Sequence, residues 1–197
     1  MRLLDLLTIT VFGIWCLMEI VIGLVSFRNR SRALSEGTDR FSYFIVSFST
    51  VLAIFIAYLA QQHLVFANRL GSFSIRAPLL GYVGCAVMAF GMTIRLLAVA
   101  ALKRQFTVKV SIMEKHEIVD TGLYGKIRHP AYLGHLVSLL GIGLLLGNWV
   151  GLTVLVVLPL AGILYRIRVE ERALLSHFGD AYQGYTGRTK RLIPGIW

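Results

Sequence analysis

Two stretches of this chain hold most of its residues capable of chemistry. One runs from Glu114 to Tyr132 and reads EKHEIVDTGLYGKIRHPAY; the other runs from Arg166 to Arg191 and reads RIRVEERALLSHFGDAYQGYTGRTKR. Pro130 suits the first position of a helix, because its φ is already helical and its missing N–H would be unbonded there. The free N–H groups and positive dipole end of such a helix favour an anion, and Arg128 and His129 would reinforce it. In the second stretch Glu170 and Glu171 stand beside Arg166, Arg168 and Arg172, so a pocket between the two could take a zwitterion. The competing reading makes these acids and arginines ordinary charges at a membrane surface, satisfied by one another and by water. A metal site from His116, His129 and the two glutamates lacks any HExxH or His-x-x-x-His spacing, and no metal is expected. Thr121 to Gly125, TGLYG, matches neither the dinucleotide nor the P-loop pattern.

What brings the two stretches together is a hairpin. From Ala131 to Tyr165 the chain has no Asp, Glu, Lys or Arg, and Gly147, Asn148 and Trp149 interrupt the run near its middle. With Asn148 as the turn, His129 lies 19 residues before it and Glu170 22 after it. Two antiparallel helices then place both within about one helical turn of the same depth. Trp149 is the kind of aromatic that settles at an interface.

Those helices lie in lipid. The chain has 197 residues, is 56% hydrophobic and only 15% charged, and has a mean hydropathy of +0.71. That is more apolar surface than a soluble domain of this size buries. A span needs roughly 20 apolar residues to cross about 30 Å of hydrocarbon. The expected fold is all-α: a single polytopic membrane domain of about five helices, near residues 3–27, 41–62, 77–102, 131–146 and 149–168. A linker at 103–130 and a tail at 169–197 would form the site. The first segment is read as a span and not as a cleaved signal peptide, its apolar stretch being too long.

The loops set the expected orientation. Sixteen Lys and Arg residues fall between the first and second helices, in the linker and from Arg166 onward, against three (Arg2, Arg69 and Arg76) on the other side, with Arg95 inside a helix. This places those loops and the C-terminus in the cytoplasm and the N-terminus outside. The net charge of +10 then suits an anionic lipid surface, and nucleic acid is not an expected partner. Cys16 and Cys85 lie in apolar segments without CxxC spacing and read as small apolar residues. Glu19 and Arg95 fall at similar depth in helices of the same direction and are expected to pair, either to fix helix packing or for function. His135 reads as a buried hydrogen-bonding histidine, and His63 and His177 as interfacial. Gly134, Gly141, Gly143 and Gly147 read as small residues that let helices approach, and Gly179 and Gly187 as breaks in the tail.

With these residues in place, the C-terminal half resembles the isoprenylcysteine carboxyl methyltransferase family and, more broadly, the related membrane phospholipid methyltransferases. The resemblance rests on His116, GLYGKIRHPAYLG from Gly122 to Gly134, the GNW turn at Gly147 to Trp149, RVEE from Arg168 to Glu171, and FGDAYQGYTGRTKRLIP from Phe178 to Pro194. It covers roughly 80 residues, and the first three helices carry no matching motif.

The resemblance implies an S-adenosylmethionine cofactor at the cytoplasmic ends of the last helices, without a Rossmann fold. It places His116, Val119, Gly122, Tyr124, Arg128, His129 and Pro130 around that cofactor, with Glu170 or Glu171 taking its amino or ribose groups. Tyr182 and Tyr185 would close the pocket or anchor at the interface. The implied acceptor is a prenylcysteine carboxylate, already ionised near pH 7 and needing no base, with Arg168 expected to orient it. A phospholipid amine would need a base, Glu171 or Tyr185. The lipid tail would enter sideways from the bilayer, because exposing it to water costs about 0.8 kcal/mol per CH₂. Rivals are a phospholipid or small-molecule lipid methyltransferase, a membrane reductase binding NADPH, and a non-catalytic membrane protein that senses a small ligand.

Overall fold

A computed structural model describes residues 3–30, 33–36, 41–62, 78–103, 106, 111–113 and 117–197. Six helices account for most of them: α1 (Leu3–Arg30), α2 (Phe41–Gln62), α3 (Pro78–Leu102), α4 (Pro130–Leu146), α5 (Trp149–Phe178) and α6 (Asp180–Arg188). Four of these, α1, α2, α3 and α5, are long and apolar enough to cross a bilayer, and α4 is a shorter apolar helix of 17 residues. The protein is an integral, multi-pass, all-α membrane protein. Among the described residues a short antiparallel pairing joins β1 (Ala33–Glu36) to β2 (Ser111–Met113).

Large apolar side chains face outward along α1 and α2, as with Leu6, Ile9, Leu17, Phe44, Phe48 and Phe55. A water-soluble bundle would turn that surface inward. The core uses small side chains: Ala53, Ala57 and Ala60 of α2 are fully buried, and Gly162 of α5 lies against Ser49 and Val46.

The tightest packing joins α3 to α4. A Cβ on Gly134 would lie 2.6 Å from the Arg95 backbone nitrogen, and one on Gly141 would lie 2.5 Å from that of Met88. On the facing helix, a Cβ on Gly91 would overlap the backbone of Ser138, and one on Gly84 would sit 3.0 Å from the Gly141 carbonyl. Both helices repeat the small residue every seven positions, so the same faces meet twice along the seam. Gly143 approaches Leu152 across the hairpin, whereas Gly147 does not serve packing. Its φ of 66° ends α4 in the left-handed conformation, with no atom near its missing Cβ. Asn148 then caps α5, its Oδ1 accepting from the Gly151 N–H at 2.6 Å and its Nδ2 donating to Gln61 at 2.8 Å.

α1 packs on α3, and α2 packs on α5. Among the described residues α1 and α2 scarcely touch each other, which leaves a lateral gap between them. α5 continues to Phe178, well beyond the expected end at 168, because helix outlasts hydropathy: its 30 residues span about 45 Å. Glu170 and Glu171 therefore sit inside a helix and not at its end. Gly179, with φ 53°, makes the break before α6, while Gly187 lies within α6.

The seam gives a signed test. Gly134→Ala should lower the thermal midpoint of the detergent-purified protein, by a destabilisation of about 1–3 kcal/mol, because helix backbones must separate. Gly13→Ala, whose new Cβ would meet nothing within 4 Å, should leave the midpoint unchanged or slightly higher. Equal midpoints for both variants would contradict the close-packed seam.

Candidate functional site

α4 and α5 run antiparallel, and their polar ends meet the linker and the tail. The tail is strapped to the linker by backbone bonds: Arg128 N–H donates to Lys190 O at 2.8 Å, His129 N–H to Arg191 O at 3.0 Å, and Lys190 N–H to Lys126 O at 3.1 Å. These bonds take up part of the expected anion site at the start of α4. Two of the N–H groups there are already bonded to the tail, Pro130 has none, and Tyr132 N–H bonds to the His129 carbonyl at 3.1 Å.

Glu171 fastens the strap. One carboxylate oxygen takes Arg128 Nε at 2.7 Å and lies 3.4 Å from His129 Nε2; the other takes Arg191 Nε at 2.9 Å. With its side chain only 12% exposed, this acid is committed to structure and does not line the cavity. Removing one member of such a buried group typically costs about 3–5 kcal/mol. Arg128 also reaches the carbonyls of Thr189 at 2.5 Å and Thr186 at 3.3 Å, at the C-terminal end of α6.

Glu170 is one residue away and turns into a cavity of about 530 Å³. It accepts from Tyr132 OH at 2.7 Å, and that hydroxyl accepts from Arg166 Nε at 3.1 Å. Arg166 is buried and also donates to Ser42 Oγ at 2.6 Å. Arg168 lies on another face of the same helix: at about 100° per residue it is roughly 200° from Arg166, and it is exposed to the outside. Arg166 and Glu170, at i and i+4, share the inner face.

Of the residues expected at the site, Val119, Tyr124, Arg128, His129 and Glu170 line the cavity. Gly122 makes an exposed turn with φ 59°, and Pro130 is buried behind the wall. His116 lies outside the described residues. Sequence reasoning missed Tyr132, although it stands three positions from His129 on the same helix face. Tyr182 and Tyr185 both line the cavity. Tyr185 OH donates to the Tyr124 carbonyl at 2.8 Å, and Tyr182 OH is buried without a hydrogen-bond partner among the described residues. Burial pushes the Tyr185 phenol up to about 12, and burial likewise raises Tyr182 and Tyr124. Tyr185 therefore stays a neutral donor near pH 7.

The cavity continues between the membrane helices. There Glu19 of α1 takes Arg95 Nη2 of α3 at 2.8 Å, as their shared depth suggests, and Arg95 Nη1 donates to the Ala131 carbonyl at 3.0 Å. His135 Nδ1 lies 3.3 Å from the second Glu19 oxygen, and its Nε2 lies 3.2 Å from Thr50 Oγ1. Ile20 from α1 and Val46, Val51 and Ile54 from α2 give it an apolar side at the gap between those helices. No cluster of metal ligands occurs among the described residues.

The raised Tyr185 pKa carries a sign. The unfolded phenol ionises from its ordinary value of 10.0 while the folded one holds its proton to about 12. Stability present below pH 10 is lost as pH rises towards 12. The thermal midpoint should fall across that window and fall less in Tyr185→Phe; an identical slope in the variant would rule the phenol out.

Comparison with known proteins agrees with this architecture. The model of the isoprenylcysteine carboxyl methyltransferase (ICMT) family matches residues 82–176, from α3 through the carboxylates of α5. A protein-S-isoprenylcysteine O-methyltransferase of Saccharomyces cerevisiae is 32% identical over 127 residues, 64% of this chain and 53% of that protein. The Schizosaccharomyces pombe enzyme of the same name is 37% identical over 81 residues, 41% of this chain and 34% of that protein. The chain thus spans about half or less of the length of these relatives. A solved structure of the eukaryotic intramembrane Ras methyltransferase ICMT superposes with a TM-score of 0.59 over 96% of this chain and 68% of that one, at 23% identity, and shares its fold. The stretch matched by that family's model, residues 82–176, carries Arg95, His129, Arg166 and both glutamates.

Proposed function

We propose that this chain is an S-adenosylmethionine-dependent methyltransferase acting on a lipophilic acceptor, with a prenylcysteine-like carboxylate as the acceptor group. One observation carries the reading: a single cavity joins an acid-and-aromatic end, at the polar ends of α4 and α5, to an apolar gap between α1 and α2. A methyl donor that is charged and a lipid that is not need those two ends, and need them to meet. The basic loops put the polar end on the cytoplasmic side. A reductase would have to hold the phosphates of NADPH on tail cations, yet Arg191 and Arg128 are already committed to Glu171.

The residues present fit S-adenosylmethionine. Glu170 offers carboxylate oxygen to an ammonium or to ribose hydroxyls, and the buried Tyr182 hydroxyl lacks a partner among the described residues. Tyr124, Tyr185 and Phe178 present rings that suit a sulfonium and an adenine. Bound there, the cofactor supplies an electrophilic methyl group.

The chain's own part is positional. A carboxylate acceptor titrates near 3.5 and arrives ionised, so no proton need be removed. Arg166, braced by Tyr132 and Ser42, replaces Arg168 as the guanidinium that orients it. The gap between α1 and α2 lets the prenyl chain stay in hydrocarbon throughout, and the enclosing helices exclude water from the reacting groups.

Calorimetric titration of the detergent-purified protein tests this reading. S-adenosylhomocysteine should bind saturably and NADPH should not. Glu170→Ala should weaken S-adenosylhomocysteine at least about tenfold, since a charge-assisted hydrogen bond is worth about 1.5–3 kcal/mol, while Arg168→Ala should leave it unchanged. Binding of NADPH alone would replace the reading with a reductase.

A further inference from the structure

The Glu19, His135 and Thr50 side chains form a constellation that carboxyl methylation does not need. His135 is six residues beyond His129 on α4, about 9 Å deeper along the helix, and all three side chains line the same cavity. If helix packing were their only purpose, the Glu19–Arg95 ion pair and the Arg95 bond to the Ala131 carbonyl would already join α1, α3 and α4. The histidine adds something else. Glu19 is the acid of an ion pair with Arg95 and can only accept, so His135 places its proton on Nδ1 and donates it to Glu19; Nε2 is left as an acceptor for the Thr50 hydroxyl. Thr50 Oγ in turn keeps acceptor capacity of its own. Carboxylate, imidazole and hydroxyl therefore stand in series, in the order of a base held by an acid and reached through a hydroxyl.

We propose that His135, oriented by Glu19 and reached through Thr50, takes the proton from a weakly acidic O–H or S–H group on a lipid, so that the cavity serves phenol-, enol- or thiol-bearing acceptors. This rests on the methyl-transfer reading and extends its substrate class. As the acceptor's O–H bond breaks, its proton passes to Thr50 Oγ while the Thr50 proton passes to His135 Nε2. The acceptor oxygen bonds to the methyl carbon, and the electron pair of the broken carbon–sulfur bond stays on the donor's sulfur. One positive charge disappears from the sulfonium and one appears on the imidazole, where Glu19 faces it at 3.3 Å. Around His135 the ionisable and polar groups are Glu19 and Cys16 from α1, Thr50 from α2 and Arg95 from α3, with the Trp15 ring centred 6.3 Å from the imidazole. Of these groups Arg95 is the one whose charge opposes the imidazolium, with Glu19 bonded to both.

The test begins without any methyl donor. A nitrophenol carrying a farnesyl-length chain, whose phenolate is coloured, is titrated with pH against the full chain in lipid nanodiscs. The bound probe should ionise about one pH unit lower in the wild type than in His135→Phe or Thr50→Val, a roughly tenfold change in its acidity. Equal ionisation in all three proteins would overturn the proposal, as would failure of the probe to bind. With S-adenosylmethionine present, both variants should lose about 100-fold in kcat on a lipid phenol with KM little changed, and less than tenfold on a prenylcysteine carboxylate. Equal losses on the two acceptors would reduce His135 to a packing residue. Probe ionisation that depends on His135 in a protein that binds no S-adenosylhomocysteine would instead refute the methyl-transfer reading, and with it the acceptor role.

Discussion

The carboxylate of Glu171 is the point on which the polar end of this protein turns. It gathers Arg128 and His129 from the segment before α4 and Arg191 from the tail, three groups from two distant parts of the chain. Two guanidiniums against one acid hold that acid ionised and hold each other in place. From this follow the parallel strap of Lys190 along Ile127 and the docking of Tyr185 on the Tyr124 carbonyl. The aromatic wall that results faces Glu170, one residue further round α5. Adjacent glutamates thus do unlike jobs because 100° of helix rotation separates them: one faces the scaffold and the other the cavity.

A second constraint acts inside the membrane, where buried polar groups must find partners within the protein. Two nitrogens of Arg95 answer it, reaching Glu19 and the Ala131 carbonyl, while its Nε is buried without a partner among the described residues; glycines at 91 and 134 let α3 and α4 approach at backbone distance beside it. Closing that seam leaves α1 on α3 and α2 on α5. The space between α1 and α2 is what remains, and it gives the cavity its apolar, lipid-facing side.

Much of this was legible in the sequence. Long uncharged runs marked the spans, the Gly147–Trp149 interruption marked the hairpin, and depth alone paired Glu19 with Arg95. Three features were hidden, each for a physical reason. The polar turn of sequence at Arg166 suggested that the fifth helix stops near 168, but hydropathy reports lipid contact and not backbone conformation, and the helix runs to Phe178. That Arg166 faces the cavity and Arg168 faces outward depends on the phase of that helix about its axis, which only tertiary packing sets. At the expected anion site before Pro130, the Arg128 and His129 N–H groups are taken by carbonyls of Lys190 and Arg191, about 60 residues away, a contact that no local pattern announces. His116 lies outside the described residues, so its expected place beside the cofactor remains a proposal.

The central claim is that one cavity serves a polar cofactor and a membrane-embedded chain together. Electron cryo-microscopy of the protein in nanodiscs with S-adenosylhomocysteine and a prenylcysteine tests it most directly. The account requires nucleoside density beside Glu170 and Tyr182, with the prenyl chain leaving between α1 and α2 past Ile20 and Val51. Density for the two ligands in separate places, or a prenyl chain on the outer face of α2, would contradict it.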